Sequence, residues 1–182
     1  MSSLIVCRNA ESAVLQVRVA KVWSLIRQLD FSRITPSSVV SCSLLVPENE
    51  LVETPEFGES VTFEEIKYRT VTINDACAFT CACAVGSLRR VVYRDGAEFV
   101  FRLVELSDIQ RVVSYELIET DAALNVSSVL HTIHLHEITE TDETYISWTT
   151  EFSGDCDQYI YSDAKFKKLD AFEDLRNVFT SP

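Results

Sequence analysis

Leu88-Arg-Arg-Val-Val-Tyr-Arg-Asp-Gly-Ala-Glu-Phe-Val-Phe-Arg-Leu-Val-Glu-Leu106 is the stretch that decides the fold. Two runs rich in β-branched and aromatic residues flank Arg94-Asp95-Gly96-Ala97, and Asp-Gly supplies the positive φ that a tight hairpin needs. Strands are expected over residues 88–93 and 98–106. Downstream, residues 111–119, 127–138 and 144–152 repeat the pattern with short polar connections, so consecutive strands must pair antiparallel. The meander ends in residues 157–179, where Phe166, Leu169, Phe172, Leu175 and Phe179 recur at steps of three or four, the spacing of one apolar helical stripe. Upstream, residues 38–46 read as a strand. Val22, Trp23, Leu25, Ile26 and Leu29 share one face of a helix over 20–29 that Thr35-Pro36 follows, and a strand is expected within 11–17.

At 182 residues and 20.6 kDa the chain suits one domain, 1–182. Its 47% apolar content is enough for a core. Sixteen basic against twenty-eight acidic residues give a net charge of −12, which repels phosphate backbones and anionic headgroups. Nucleic acid and membrane surfaces are therefore excluded as default partners. No apolar run reaches the about 18 residues of a membrane span, and the start lacks a basic region before Leu4-Ile5-Val6-Cys7, so a cytoplasmic location is expected. The six cysteines then read as free thiols. Residues 47–85 fit the meander least. Seven glutamates lie between Glu48 and Glu65, and residues 70–73 and 77–85 form a possible hairpin around Asn74-Asp75.

Together these elements predict an α+β fold, a curved antiparallel sheet wrapped around a long C-terminal helix. Val22-Trp23-Ser24-Leu25-Ile26-Arg27, Gly86-Ser87-Leu88-Arg89-Arg90-Val91, Arg102-Leu103-Val104-Glu105-Leu106, Val113-Ser114-Tyr115-Glu116-Leu117 and Ile146-Ser147-Trp148-Thr149 follow one another along the chain. In that order they resemble the START-related helix-grip (SRPBCC) superfamily, in particular its polyketide cyclase/dehydrase group, the plant lachrymatory-factor synthase and the pyrabactin-type abscisic acid receptors. The resemblance covers roughly 11–179, with 47–85 as an insertion. It implies a hydrophobic cavity between sheet and last helix, with the arginine of the Gly-x-x-Arg stretch, Arg89, pointing inward.

The resemblance also marks departures. Phe101 stands where the synthase has a glutamate, and Arg94-Asp95-Gly96-Ala97-Glu98 lacks the Pro and Leu of the receptors' gate. Asp121-Ala122-Ala123-Leu124 replaces their latch. At polar pocket positions of the receptors this chain aligns Val40, Phe101, Ala123 and Val126, while Ser128 and Ser147 stay polar. The implied cavity is greasier, suited to a lipid, sterol, isoprenoid or aromatic ligand.

The candidate ligand-binding residues are Arg89, Phe101, Leu103, Tyr115, Leu117, Ser128, Ser147, Phe166 and Leu169. Arg89 faces either the cavity, where a ligand carboxylate or carbonyl would satisfy it, or solvent and an acidic neighbour; Arg90 faces the other way. In His131-Thr-Ile-His134-Leu-His136, His134 and His136 share a side but nothing completes a metal site. Val129, Ile133 and Leu135 make the odd face apolar, whereas the family alignment turns the even face, with Ser128 and Leu130, inward. Cys77, Cys81 and Cys83 lack the Cys-x-x-Cys spacing of zinc and redox sites. No cofactor or metal is called for.

Three functions follow. The first is a binding protein for a small hydrophobic molecule. The second is a cyclase/dehydratase-type enzyme in which Arg89 polarises a carbonyl and Tyr115 or His131 moves a proton. The third is an interaction module using the acidic insertion. Phe101 in place of a carboxylate favours the first.

Overall fold

Alternation of buried and exposed residues along each strand, together with short turns, builds one eight-stranded antiparallel sheet. The computed structural model describes residues 7–47, 68–73, 84–122, 124 and 126–180. Its elements are β1 (Cys7–Leu15), α1 (Val19–Ile26), α2 (Phe31–Ile34), β2 (Val39–Pro47), β3 (Tyr68–Thr72), β4 (Leu88–Tyr93), β5 (Glu98–Ser107), β6 (Val112–Thr120), β7 (Val129–Ile138), β8 (Glu143–Phe152) and α3 (Gln158–Thr180). The strand order is β1-β8-β7-β6-β5-β4-β2-β3. The meander is continuous from β4 to β8, and β1 closes onto β8. The two short helices carry the chain from β1 to β2 on the other flank.

The Asp-Gly hairpin forms as its sequence predicts. Tyr93 N donates to Ala97 O (2.9 Å), Gly96 takes φ 92°, and Asp95 Oδ1 accepts from Ala97 N (3.0 Å). Register shifts in β2 between Val39 and Ser41, and in β5 at Val100/Phe101 and Leu103/Glu105, bend the sheet into a concave face. That face holds the core: Leu103, Val113, Tyr115, Ile133, Leu135 and Ile146 are buried against α1, α2 and α3. Asp157 Oδ1 accepts from Ile160 N (2.9 Å), satisfying one of the free donors at the start of α3.

Helix α2 escapes the sequence reading because it is only four residues long, below the span that reveals a helical period. Asp30 caps it, accepting from Ser32 N (3.1 Å) and Ser32 Oγ (2.6 Å). Of the expected insertion, Tyr68–Thr72 forms the edge strand β3 on β2. The acidic stretch from Glu48 to Glu65 and Cys77, Cys81 and Cys83 lie outside the described residues.

The stripe on α3 requires a correction. With about 3.6 residues per turn, each step of three falls some 60° short of a full revolution, so two such steps place Phe166 about 120° from Phe172. Phe166 is 62% exposed and Leu169 40% exposed, on the outer side of the helix. The gripping face is Ile160, Ala164, Lys168, Ala171, Phe172, Asp174 and Leu175. Its polar members hid it from an apolar count.

Candidate functional site

Register builds the site. On the concave face Asn9 of β1 lies opposite Thr150 of β8, Thr150 opposite His131 of β7, and His131 opposite Tyr115 of β6. Leu103 of β5 continues the row beyond Tyr115. Four strands thus contribute one polar rung to a largely apolar surface, and cross-strand neighbours of this kind are close enough to interact. His131 Nδ1 lies 3.0 Å from Thr150 Oγ1, and its ring stacks on Tyr115 with centroids 4.7 Å apart and planes 14° from parallel. Lys168 of α3 reaches the near end, donating to Asn9 Oδ1 (2.6 Å) and to Asn9 O (3.1 Å).

Between this rung and the helix is a cavity of about 100 Å³. Phe31, Phe99, Phe101, Leu117, Val129 and Phe152 make its apolar walls, and Leu124 from the segment after β6 closes one side. Its polar groups are fewer: His131, Tyr115, Trp148 and Lys168 toward the sheet, Asp163 and Lys167 earlier on α3, and Thr35, Ser38 and the Tyr93 hydroxyl. Asp163 and Lys167 pair with each other at 2.9 Å. The Lys167 ammonium also sits 4.8 Å from the Tyr93 ring centroid and 5.5 Å from that of Phe99, a cation–π arrangement.

Burial sets the protonation of these groups. Desolvation, then the nearby Lys168 and Lys167 charges, push the His131 imidazole down to about 3, so it is neutral at physiological pH. Desolvation likewise pushes the Tyr115 hydroxyl well above its usual range and lowers the Lys168 amine to about 8. The Trp148 indole N–H acts on the Tyr115 hydroxyl as a hydrogen-bonding neighbour that opposes part of that rise. Trp148 Nε1 is buried and makes no well-formed hydrogen bond among the described residues. A buried donor left unmade is costly, so such a group marks a place where an acceptor belongs.

The structure brings Phe101, Tyr115 and Leu117 to the cavity wall. Leu103 is wholly buried on the same face without lining it. Arg89 is wholly buried too, but Nη1 donates to Ser87 Oγ (2.9 Å) and Nε and Nη2 approach Gln28 O (3.4 Å each). It does not line the cavity. It holds the α1–α2 junction, where Leu29 takes φ 51° and Cys42 Sγ reaches Leu29 O at 3.7 Å. Arg90 is exposed and pairs with Glu98.

Ser128 and Ser147 are corrections. Ser128 is exposed just before β7, and Ser147 lies between buried Ile146 and Trp148, its side chain on the outer face. The odd face of β7, with Val129 and Ile133, is the inner one, and no bulge turns the even face inward. Val40 is likewise exposed rather than lining the cavity, and Ala123 is outside the described residues. His134 and His136 lie against each other outside, with centroids 3.8 Å apart and planes tilted by 47°, and no metal-binding group of three or more His, Cys, Asp or Glu occurs among the described residues. Sequence reasoning missed Trp148, Lys168 and Phe99 as lining residues. The only available signal was their place on buried faces, which does not separate cavity wall from core.

No family model and no curated protein matches the chain. Solved structures do. A protein of Nitrosospira multiformis is 20% identical with a TM-score of 0.65, covering 96% of this chain and 97% of its own. The major latex-like protein 151 of Panax ginseng is 14% identical with a TM-score of 0.62, covering 97% and 99%. An uncharacterised protein of Bacillus thuringiensis is 17% identical with a TM-score of 0.62, covering 96% and 100%. The chain has a helix-grip fold. Identities this low carry the fold alone, so the chemistry has to come from the cavity. Among the described residues no helix is long and apolar enough to cross a membrane.

Proposed function

We propose that the chain binds a small hydrophobic molecule in the cavity between sheet and α3, with Phe101, Tyr115 and Leu117 among the contacts. The observation that carries this reading is the buried Trp148 indole N–H, which makes no well-formed hydrogen bond among the described residues, in the wall of an apolar space. An apolar enclosure with a few oriented polar groups is the usual form of a small-molecule site. Size narrows the class. At about 100 Å³, the space compares with the roughly 150 Å³ cavity that takes one benzene ring and falls below the about 300 to 1,000 Å³ of drug-sized sites. A single-ring aromatic or short isoprenoid compound fits better than a sterol. Binding is favoured over turnover because the His131 imidazole, lowered to about 3, is a poor general base near neutrality.

Calorimetric titration with toluene and acetophenone tests the reading. Both should bind with Kd below about 1 mM, and acetophenone more tightly, since its carbonyl can accept from Trp148. No heat from either would remove the cavity as a binding site. Arg89→Leu serves as the counterpart. Its guanidinium is outside the cavity wall, so acetophenone affinity should stay within about 0.5 kcal/mol of the parent. A loss of tenfold or more would return Arg89 to the binding site.

A further inference from the structure

Lys168 is an ammonium 3% exposed whose two hydrogen-bond acceptors, Asn9 O and Asn9 Oδ1, are both neutral. No carboxylate lies within ion-pair distance of it among the described residues. The adjacent Lys167 differs, because it has Asp163 at 2.9 Å and two aromatic faces. Two of the three Lys168 hydrogens are accounted for by Asn9, and the side chain lines the cavity. Trp148, packed on Phe172 one helical turn from Lys168, offers a second donor, and the Tyr115 hydroxyl a third. This end of the cavity holds donors and a positive charge, and the one carboxylate in the lining, Asp163, is engaged by Lys167.

We infer that the ligand is a small aromatic or branched carboxylic acid whose carboxylate is received by Lys168, with the Trp148 indole as a second donor. A carboxylate brings the missing negative charge and several lone pairs, and charge-assisted hydrogen bonds of this type are the stronger ones. It also gives the buried ammonium a counter-ion in direct contact, which none of the described residues supplies. The inference rests on the cavity being the binding site. The charged group that acts on Lys168 is Glu11 on β1, which favours its charge, while Lys168 and Lys167 both act on the neutral His131. At pH 7 the amine, lowered to about 8, still carries its proton.

Titration at pH 7 with benzoate against benzamide, and with phenylacetate against phenylacetamide, tests it on the unaltered protein. Each acid should bind about 10- to 100-fold more tightly than its amide, the range expected of a hydrogen bond to a charged group. In Lys168→Met, checked for a cooperative melt, the preference should vanish while toluene binding is kept. Equal affinity of acid and amide in the parent protein would overturn the inference. A preference that survives in folded Lys168→Met would overturn it as well. Borohydride trapping of benzaldehyde on Lys168, with no preference for acids, would instead assign a nucleophilic amine. Failure of toluene, acids and amides alike would count against the cavity reading itself.

Discussion

Phe172→Ala is expected to lower stability by about 3 to 5 kcal/mol, whereas Phe166→Ala should change it by less than about 0.5 kcal/mol. Both are phenylalanines of one helix, six residues apart, and a simple count of apolar spacing treats them alike. Phe172 is buried, touches Trp148 with ring centroids 6.4 Å apart, and belongs to the face that grips the sheet. Truncating it removes a whole ring from the core and leaves a void that the sheet, pinned by its own hydrogen bonds, fills only partly. Phe166 already faces water, so truncation removes little packing. Urea denaturation of the two variants checks this. Equal losses, or a larger loss for Phe166→Ala, would mean that α3 is rotated by about a third of a turn from the arrangement described.

Acid should destabilise the protein through His131, and His131→Leu should remove that part of the pH dependence. The imidazole, held down to about 3 when folded, returns to about 6.5 when the chain unfolds. Between those values the unfolded chain carries a proton that the folded one does not. Stability therefore falls as pH drops below 6.5, at about 1.4 kcal/mol per pH unit, and the loss reaches roughly 2 to 3 kcal/mol by pH 4.5. Above pH 7 both states leave the ring neutral and the slope disappears. Denaturation midpoints from pH 7.5 to 4.5 should diverge between parent and His131→Leu in that direction, because carboxylates common to both cancel in the difference. Parallel curves would show that the ring gains a proton in the folded state, hence that water reaches it.

The hairpin at Asp95-Gly96, the meander and the closing helix were legible because each depends on local information: turn chemistry, alternation and period. Arg89 could not be placed in that way. Alternation leaves its side chain facing either the cavity or solvent, and only the family resemblance turns it inward; it is inward, but whether its guanidinium reaches a ligand or the α1–α2 junction depends on where Gln28 and Ser87 lie in space. The polar rung is less local still. Asn9, Thr150, His131 and Tyr115 are distant in sequence and meet only through the registers of three strand pairs. A one-residue slip in any of them would turn one residue outward. Ser128 and Ser147 come from the family alignment, which matches them to polar pocket positions, whereas the register of β7 and β8 leaves both off the inner face. Lys168 was hidden because a lysine on a helix is ordinarily solvated.

The two tryptophans give the most direct test of the central claim, that an apolar cavity offers an unmet hydrogen-bond donor to a ligand. Trp23 Nε1, itself buried, already donates to Asp108 Oδ1 at 2.8 Å, whereas Trp148 Nε1 makes no well-formed hydrogen bond among the described residues. In a proton–nitrogen correlation spectrum titrated with acetophenone, the Trp148 indole resonance should move downfield and saturate, while the Trp23 resonance stays in place. A Trp148 resonance that does not move while acetophenone binds, or equal shifts at both indoles, would contradict the claim.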